Sequence, residues 1–399
     1  MSDQDPSPAV DETASNAAPA DNGKPTARSR PSDAAIASFA VPTWIDRVGG
    51  WQHRHPRGAI RLGNFDTRMA GEAIADVTID APIYVAGLAR SGTTILLELL
   101  AEHPAVGTHR YRDFPPVFTP WLWDRWLARV PQADETAKER AHGDGIAVTS
   151  QSPEAFEEVL WMAFFPDTHD PRHSSVLNAQ TSAPEFERFY AEHIRKVLAI
   201  RDAKRYAAKG NYNLMRLQYL QKMFDDARFV LPIRDPVWHI ASLMKQQTLF
   251  EAGERAHPRA LEHMRRVGHF EFGLDRRPIH TGDQATLERV ENLWADGHEV
   301  EGWAHYWAMI YADVADRIDA DPKLEDAALI VRYEDMCTNS HEVLTGFYAH
   351  CGLDVDEATL DAAASRLRMP GYYKPAFSDE ELAIIRDITG PVAARYGYS

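Results

Sequence analysis

A loop in the first quarter of the chain has the residue types and spacing of a phosphate-binding turn. It has the form Gly-x-x-x-x-Gly-Thr-Thr, with Gly87 and Gly92 at its ends and Thr93 and Thr94 after them. A short apolar run, 83–85, precedes the loop, and apolar residues at helical spacing follow it. An NTP-binding loop of this form has a lysine where this chain has Thr93. The sequence therefore predicts an anion site that differs from that of an NTPase.

The chemistry of this loop favours a nucleotide with a single 5′-phosphate and one transferable group. Backbone N–H groups in the turn and the positive end of the following helix stabilise negative charge. Thr93 and Thr94 can donate hydrogen bonds, and Arg90 can neutralise charge. In P-loop NTPases the loop lysine reaches the β- and γ-phosphates, while a Ser or Thr holds magnesium. Because that lysine is missing, a triphosphate with its metal would be bound poorly.

A second set of residues could bind another phosphate. An apolar, strand-like run ends at Arg234, and Asp235-Pro236 then begins a helix, since proline is tolerated in a first helical turn. Ser242 follows Arg234 by eight residues, about two turns into that helix. A guanidinium and a hydroxyl that converge there could clamp a phosphate. Pro232 would remove a hydrogen bond from the strand, so we expect a β-bulge at that residue.

Together, the two motifs resemble those of the PAPS-dependent sulfotransferase superfamily, and they are closest in style to its bacterial Sulfotransfer_3 type (PAPS is 3′-phosphoadenylyl sulfate). Three further segments are similar to family motifs and extend the resemblance over residues 80–398, namely Arg205–Gly210, Val331–Met336 and Ala394–Tyr398. The resemblance implies an enzyme that moves a sulfuryl group from PAPS to a hydroxyl or amine of a small-molecule or glycan acceptor. The product would be adenosine 3′,5′-bisphosphate (PAP), and no metal is implied.

The resemblance also implies roles for individual residues. The loop would hold the 5′-phosphosulfate through Arg90, Ser91, Gly92, Thr93 and Thr94, and the 3′-phosphate would be held by Arg234 and Ser242. Lys209 matches the lysine that the family places near the bridging oxygen, and it counts with Arg90 as catalytic. Lys374 could cover the 3′-phosphate from a C-terminal loop.

The base that accepts the proton of the acceptor is open between two residues. Asp113, in Tyr111-Arg112-Asp113-Phe114-Pro115, resembles the glutamate of the Lys-Glu-Pro segment that acts as base in carbohydrate sulfotransferases. Arg112 would then stand in for the lysine of that segment. His109 is the rival, because cytosolic-type members use a histidine, although theirs follows the second strand. We expect Asp113 to be the base, with His109 as the alternative.

The order of the motifs predicts one α/β domain of the P-loop type, with a parallel sheet, helices on both faces and helical insertions at the acceptor site. We expect the nucleotide at the carboxyl ends of the strands. Residues 1–40 are rich in Ala, Ser, Pro and Asp and are predicted to be a disordered tail, so the domain spans 41–399. The aromatic-rich segment 114–200 and the polar segment 249–300 are predicted to wall or cover the acceptor pocket.

Composition narrows the partners and the cellular location. The formal net charge of −16 argues against nucleic acid. No stretch approaches the roughly 20 apolar residues that span a bilayer, and the N-terminus lacks a signal-peptide pattern. Cys337 and Cys351 are too few for a disulfide framework, which suits a reducing cytoplasm. Metal catalysis is disfavoured, because Pro171 breaks the helical spacing of His169 and His173. We expect a cytoplasmic protein without an integral membrane segment, and a homodimer is left open.

Two other classes of function stay open. A P-loop kinase acting on a small molecule would need a lysine in the loop and an acidic magnesium ligand at a strand end. Thr93 argues against the first requirement, whereas Asp335 could serve the second. A non-catalytic nucleotide-binding protein would keep Arg234 and Ser242 but would need no base.

Overall fold

The computed structural model describes residues 31–130, 138–139, 147–369 and 374–398. Its main sheet contains the strands β1 (Ile83–Val85), β2 (Val106–Gly107), β5 (Arg205–Lys209), β6 (Arg228–Ile233) and β7 (Ala328–Arg332). All are parallel, in the spatial order β2–β5–β1–β6–β7. A separate antiparallel pair is formed by β3 (Lys138–Glu139) and β4 (Ala147–Val148).

Helices connect these strands throughout the described residues. The α-helices are α1 (Asp33–Ala37), α2 (Thr43–Arg54), α3 (Pro56–Ala70), α4 (Thr93–Glu102), α5 (Pro120–Leu127), α6 (Glu158–Phe164), α7 (Pro184–Arg201), α8 (Leu217–Met223), α9 (Pro236–Ala256), α10 (Pro258–Val267), α11 (Gln284–Ala295), α12 (Glu299–Asp319), α13 (Pro322–Ala327), α14 (Tyr333–Thr338), α15 (Ser340–His350), α16 (Glu357–Arg366) and α17 (Asp379–Arg395). Short 3₁₀ turns occur at Gly71–Ile74, Tyr111–Asp113 and Asn211–Met215.

Helices cover both faces of the sheet, as the sequence predicted. Side chains alternate between the faces along a strand, so Ile83 and Val85 pack with Leu97 of α4 and Phe347 of α15. Tyr84 belongs to the core of the opposite face, which includes Trp307 of α12. The parallel order brings the carboxyl ends of β1, β5 and β6 to one edge, and this edge carries the residues that the motifs singled out.

The turn between β1 and α4 passes very close to the end of β6. A Cβ at Gly87 would lie 2.6 Å from Ser91 Oγ and 2.9 Å from the backbone oxygen of Pro232. Gly92 has a φ of 109° and caps α4, and a Cβ there would lie 2.8 Å from the Tyr333 ring. Gly87 is therefore required because the backbone passes so close to its neighbours. Gly92 is required both by close approach and by its positive φ.

Pro232 is accommodated in β6 without the predicted bulge. The pairing of β6 with β7 is uninterrupted from Phe229 to Ile233, and Pro232 lies opposite Val331. The carbonyl of Val230 faces β1, where it accepts a hydrogen bond from Ala86 N at 2.9 Å. Since alternate residues face alternate neighbours, the nitrogen of Pro232 also faces that side, beyond the end of β1. Proline therefore removes no hydrogen bond between strands, and the predicted bulge at Pro232 is absent.

The domain begins earlier than the predicted boundary at residue 41. The first 30 residues of the predicted tail lie outside the described residues, but α1 and the following turn are part of the fold. Phe39 is buried, and its ring lies 5.0 Å from that of Phe250 in edge-to-face contact. A Cβ at Gly253 would clash with the Phe39 ring, so this glycine of α9 makes room for it. A single aromatic residue in a polar stretch was too weak a signal to mark this boundary.

Replacement of Gly87 by alanine should destabilise the fold. The new Cβ would press against the backbone oxygen of Pro232, which cannot rotate away as a side chain can. We expect the free energy of unfolding to fall by about 1–3 kcal/mol in urea denaturation. Gly346, inside α15, is the matched control, since nothing lies within 4 Å of a Cβ built there. Its replacement by alanine should stabilise the protein by up to about 1 kcal/mol. Equal stability of Gly87→Ala and the native protein would contradict the close approach.

Candidate active site

A cavity of about 770 Å³ opens at the carboxyl ends of β1 and β5. The predicted loop contributes Arg90, Thr93 and Thr94 to its lining, and β5 contributes Lys209. Aromatic side chains make up much of the remaining wall, among them Trp44, Phe114, Phe156, Trp161, Tyr212 and Phe272. The cavity therefore joins a polar, cationic end to an apolar, ring-lined body.

The two predicted phosphate motifs meet beside the polar end, where Arg90 lines the cavity but the buried residues Arg234 and Ser242 are not part of the described lining. Arg90 has a φ of 72°, and its Nε lies 3.4 Å from Ser242 Oγ on α9. Arg234, at the end of β6, is buried, and its guanidinium lies 4.8 Å from the centre of the Tyr333 ring. Arg90 and Ser242, 152 positions apart in the sequence, thus come together, although the motifs assigned them to different phosphates. Two guanidinium groups and a hydroxyl on neighbouring elements can bind a phosphate anion.

His239 fixes the loop from behind. Its Nε2 donates to the carbonyl oxygen of Ala89 at 2.8 Å, while its Nδ1 accepts from Trp307 Nε1 at 3.2 Å. Burial, followed by the nearby charges of Arg234 and Arg90, lowers the pKa of His239 to about 3. The imidazole is therefore neutral near pH 7, with its proton on Nε2, and it orients the loop without adding charge.

Lys209 supplies an ammonium group to a loop that has no lysine of its own. It lies opposite Val85 in the register of β5 with β1, next to the start of the loop. Its Nζ donates to Thr94 Oγ1 at 2.9 Å and lies 2.9 Å from Glu154 Oε1. Lys209 thereby joins the anion-binding loop to the wall of the cavity.

Glu154 is a carboxylate of the cavity that the sequence did not reveal. Its Oε2 accepts a hydrogen bond from the Tyr111 hydroxyl at 2.6 Å, and its Oε1 accepts from Ala155 N at 2.7 Å. Its own backbone N–H donates to His109 O at 3.1 Å, as the segment 150–154 runs beside 109–112. Only this long-range pairing brings Glu154 to Lys209, and no local motif marks it.

Asp113 lies outside the cavity and is saturated by other partners. Arg201 NH2 lies 2.7 Å and 2.5 Å from its two oxygens, and Arg110 N donates to it at 2.8 Å. Burial favours the neutral acid, but hydrogen bonding by His109 and the charge of Arg201 outweigh it and hold the pKa of Asp113 well below its usual range. A buried carboxylate with so low a pKa, paired away from the cavity, does not fit the predicted role of base.

His109, the alternative base, is also buried outside the cavity lining. Its Nε2 lies 3.0 Å from His193 Nε2, and its Nδ1 lies 3.5 Å from Asp113 Oδ2. Together with Asp113 it anchors the 3₁₀ turn that presents Tyr111 and Arg112 to the cavity. We assign both residues to holding this turn in place.

The remaining predicted site residues divide into near and distant groups. Ser91, within the loop, is fully buried. Arg112 lines the cavity, and its NH2 lies 3.1 Å from Asp124 Oδ1. Lys374 is exposed and is not part of the described cavity lining. His169 Nε2 lies 2.7 Å from Glu158 Oε1, and His173 Nδ1 lies 3.7 Å from Asp170 Oδ2.

Both predicted acceptor segments contribute to the wall. Segment 114–200 supplies Phe114, residues 148–150 and 154–158, and Trp161, whereas segment 249–300 supplies His263 and residues 267–269 and 271–272. Three more carboxylates lie among them, those of Glu157, Glu158 and Glu271. Glu157 accepts hydrogen bonds from Tyr190 and Tyr206, and burial raises its pKa. Glu271 accepts from Asn211 at 2.6 Å and lies 3.1 Å from His269 Nδ1.

Asp113 should stabilise the fold in a pH-dependent way. Its pKa in the folded protein lies below the unfolded value of about 3.9, so its contribution is present above pH 4 and is lost as the pH falls. We expect Asp113→Asn to lower the free energy of unfolding at pH 7 by about 3–5 kcal/mol, because Arg201 then stays buried without its partner. The variant should also lose less stability than the native protein between pH 5 and pH 2.

Asp326→Asn is the control, since that carboxylate is exposed and pairs only at the surface with Arg228. Its effect should stay within about 0.5 kcal/mol. An Asp113→Asn protein with native stability and a native pH profile would show that the pairing with Arg201 is not structural.

Known proteins resemble this chain in sequence and in structure. The family model Sulfotransfer_3, described as the sulfotransferase family, matches residues 82–276. Two curated relatives, from Mycobacterium bovis and Mycobacterium tuberculosis, are both named omega-hydroxy-beta-dihydromenaquinone-9 sulfotransferase Stf3. Each is 24% identical over 355 residues, which cover 84% of this chain and 80% of the relative.

Two solved structures are similar to this chain at low identity. Sulfotransferase STF1 from Mycobacterium tuberculosis H37Rv has a TM-score of 0.42 and 19% identity over 86% of this chain and 83% of its own. Sulfotransferase STF9 from Mycobacterium avium has a TM-score of 0.47 and 14% identity over 82% of this chain and 79% of its own.

Proposed function

We propose a donor, a base and an acceptor class for this chain, which belongs to the sulfotransferase superfamily, as the match over residues 82–276 confirms. Its reaction is sulfuryl transfer. We propose PAPS as the donor, because two anion-binding motifs, one in the loop after β1 and one at the junction of β6 and α9, suit a nucleotide with a 5′-phosphosulfate and a 3′-phosphate. Arg90, Thr93 and Thr94 would bind the first group, and Arg234 with Ser242 would bind the second.

The contact of Lys209 with both Thr94 and Glu154 carries the proposal. Sulfuryl transfer, like phosphoryl transfer, depends mostly on positioning and on stabilisation of the charge that develops. In the reaction the bond between sulfur and the bridging oxygen of the 5′-phosphate breaks, while a bond forms between sulfur and the acceptor oxygen. Lys209 would stabilise the negative charge on the leaving phosphate, next to the N–H groups at the start of α4.

We assign the role of base to Glu154, in place of Asp113 and His109. Glu154 lines the cavity beside Lys209, so a hydroxyl group directed at the sulfur would lie within its reach. The carboxylate would accept the hydroxyl proton as the acceptor oxygen attacks. The Tyr111 hydroxyl, which donates to Oε2, would hold the carboxylate in position.

For the acceptor we propose a hydroxyl group on an apolar molecule with a ring or prenyl component. The body of the cavity is walled by Phe114, Phe156, Trp161 and Phe272, which offer apolar contact and few hydrogen-bond partners. Polar side chains such as Asn211 and Glu271 also line the cavity, but the apolar part of its wall is the larger. The two curated relatives are named for an ω-hydroxylated menaquinone derivative, which has this character.

The direct test is transfer of labelled sulfate from PAPS to a panel of hydroxylated quinols, phenols and prenyl alcohols, with sugars as the contrasting class. On the best acceptor, Glu154→Gln should lower kcat by about 10²–10⁴-fold, since the amide cannot accept the proton. Binding of PAP by this variant should change little, because the Glu154 carboxylate meets the donor site through Lys209.

Asp113→Asn is the matched control, compared per mole of folded protein as counted by PAP titration. It should lower kcat much less than Glu154→Gln does, because Asp113 acts only by holding the 3₁₀ turn that carries Tyr111. The assignment fails if Glu154→Gln keeps native kcat while Asp113→Asn loses it. Transfer to sugars alone would overturn the acceptor class but would leave the donor site intact.

A further inference from the structure

An apolar stripe on the surface of α2 and α3 is exposed in the part of the chain that the structure describes. Five large apolar side chains each keep 40–53% of their surface exposed, namely Trp44, Trp51, Leu62, Phe65 and Met69. The two tryptophans are seven residues apart, and the three residues of α3 are spaced by three and four, so each set lies on one side of its helix. The stripe is larger than the scattered apolar residues that a soluble surface normally carries.

The stripe is continuous from one helix to the other and ends at the cavity. A Cβ at Gly58 would lie 3.5 Å from the Trp51 ring, so this ring covers the side of α3 on which Leu62 lies. At the opposite end, Trp44 both is exposed and lines the cavity. An apolar surface thus runs from α3 along α2 to the acceptor side of the site.

A row of positive charge accompanies the stripe. Five exposed arginines belong to these two helices, namely Arg47, Arg54, Arg57, Arg61 and Arg68. In α3 the spacing of 57, 61 and 68 places these side chains beside the apolar stripe, on the side away from the buried face. In α2, the helical spacing likewise places Arg47 and Arg54 beside the two tryptophans.

The acidic residues of these helices do not offset this charge. Asp46 Oδ1 lies 2.5 Å from Arg266 on α10, and Asp66 is fully buried with its Oδ2 2.9 Å from Lys196 Nζ on α7. Both carboxylates are thus neutralised by cations from neighbouring helices. A patch whose exposed charges are arginines is unusual in a chain with a net charge of −16.

We propose that this face of α2 and α3 binds the surface of a lipid bilayer that contains anionic lipids, with the mouth of the cavity facing the membrane. A helix that lies in the interface has tryptophan, phenylalanine and leucine on one side and arginine on the other, which is the pattern found here. The contact that we propose is peripheral, at the bilayer surface. Among the described residues, no helix has the length and apolar character of a membrane span.

Charge favours a bilayer over a second copy of the chain. In a two-fold symmetric dimer this patch would contact itself, which would bring arginine rows together without carboxylates to pair with them. An anionic lipid surface instead attracts each arginine near it. The inference goes beyond the proposed reaction, and its test requires no turnover.

The test is sedimentation of the full chain with vesicles of phosphatidylcholine alone or of equal parts phosphatidylcholine and phosphatidylglycerol. We expect binding to the anionic vesicles, weakened by salt as charge interactions are screened. Arg57→Gln/Arg61→Gln should weaken binding about thirtyfold, and Leu62→Ser/Phe65→Ser about tenfold or more. All four side chains are exposed, so both variants should keep the native circular dichroism spectrum and melting temperature.

Arg386→Gln on α17 and Ile330→Thr on β7 are the matched controls, since each changes an exposed residue of the same kind elsewhere. They should bind vesicles like the native chain. The proposal is overturned if the native chain fails to bind anionic vesicles at low salt, or if the patch variants bind as well as the controls. A fall in molar mass from dimer to monomer in Leu62→Ser/Phe65→Ser, without vesicle binding by the native chain, would instead assign the face to a second copy.

Discussion

The site depends on a single ammonium group, that of Lys209, which contacts the anion-binding loop and the cavity wall at once. A turn with backbone N–H groups and two threonines can bind a phosphate group, but it carries no full charge of its own apart from Arg90. The sheet supplies the missing charge, because β5 pairs with β1 and its last residue, Lys209, lies opposite Val85. The contacts of its Nζ with Thr94 and Glu154 then set where an acceptor could meet the donor.

The precision of this arrangement comes from packing around the loop. Gly87 lets the chain pass against Pro232, and the neutral imidazole of His239 holds the Ala89 carbonyl in place. Behind the other wall, the buried pair of Asp113 and Arg201 fixes the 3₁₀ turn from which Tyr111 reaches Glu154. Asp113 and Arg201, to which we assign no chemical step, thus help to position Glu154, to which we do. Such support is typical of an active site with preorganised charges.

The sequence was informative where function depends on local backbone and poor where it depends on long-range pairing. The loop, its glycines and the fold class follow from spacing along the chain, and Arg234 and Ser242 follow from one strand–helix unit. Asp113 looked like the base because its local segment resembles a family motif. Its partner Arg201 is 88 residues away, so its saturation could not be foreseen. Glu154 was missed for the same reason, since only the pairing of 150–154 with 109–112 brings it to the cavity.

Calorimetric titration with PAP, alongside ATP with magnesium, tests the central claim of a two-phosphate donor site most directly. The account predicts tight binding of PAP and none of ATP with magnesium. It also predicts that Ser242→Ala weakens PAP binding by about ten- to a hundredfold, through loss of a hydrogen bond to a charged phosphate, whereas Ser365→Ala on the exposed side of α16 does not. Binding of ATP with magnesium in place of PAP would contradict the donor site and would favour a kinase.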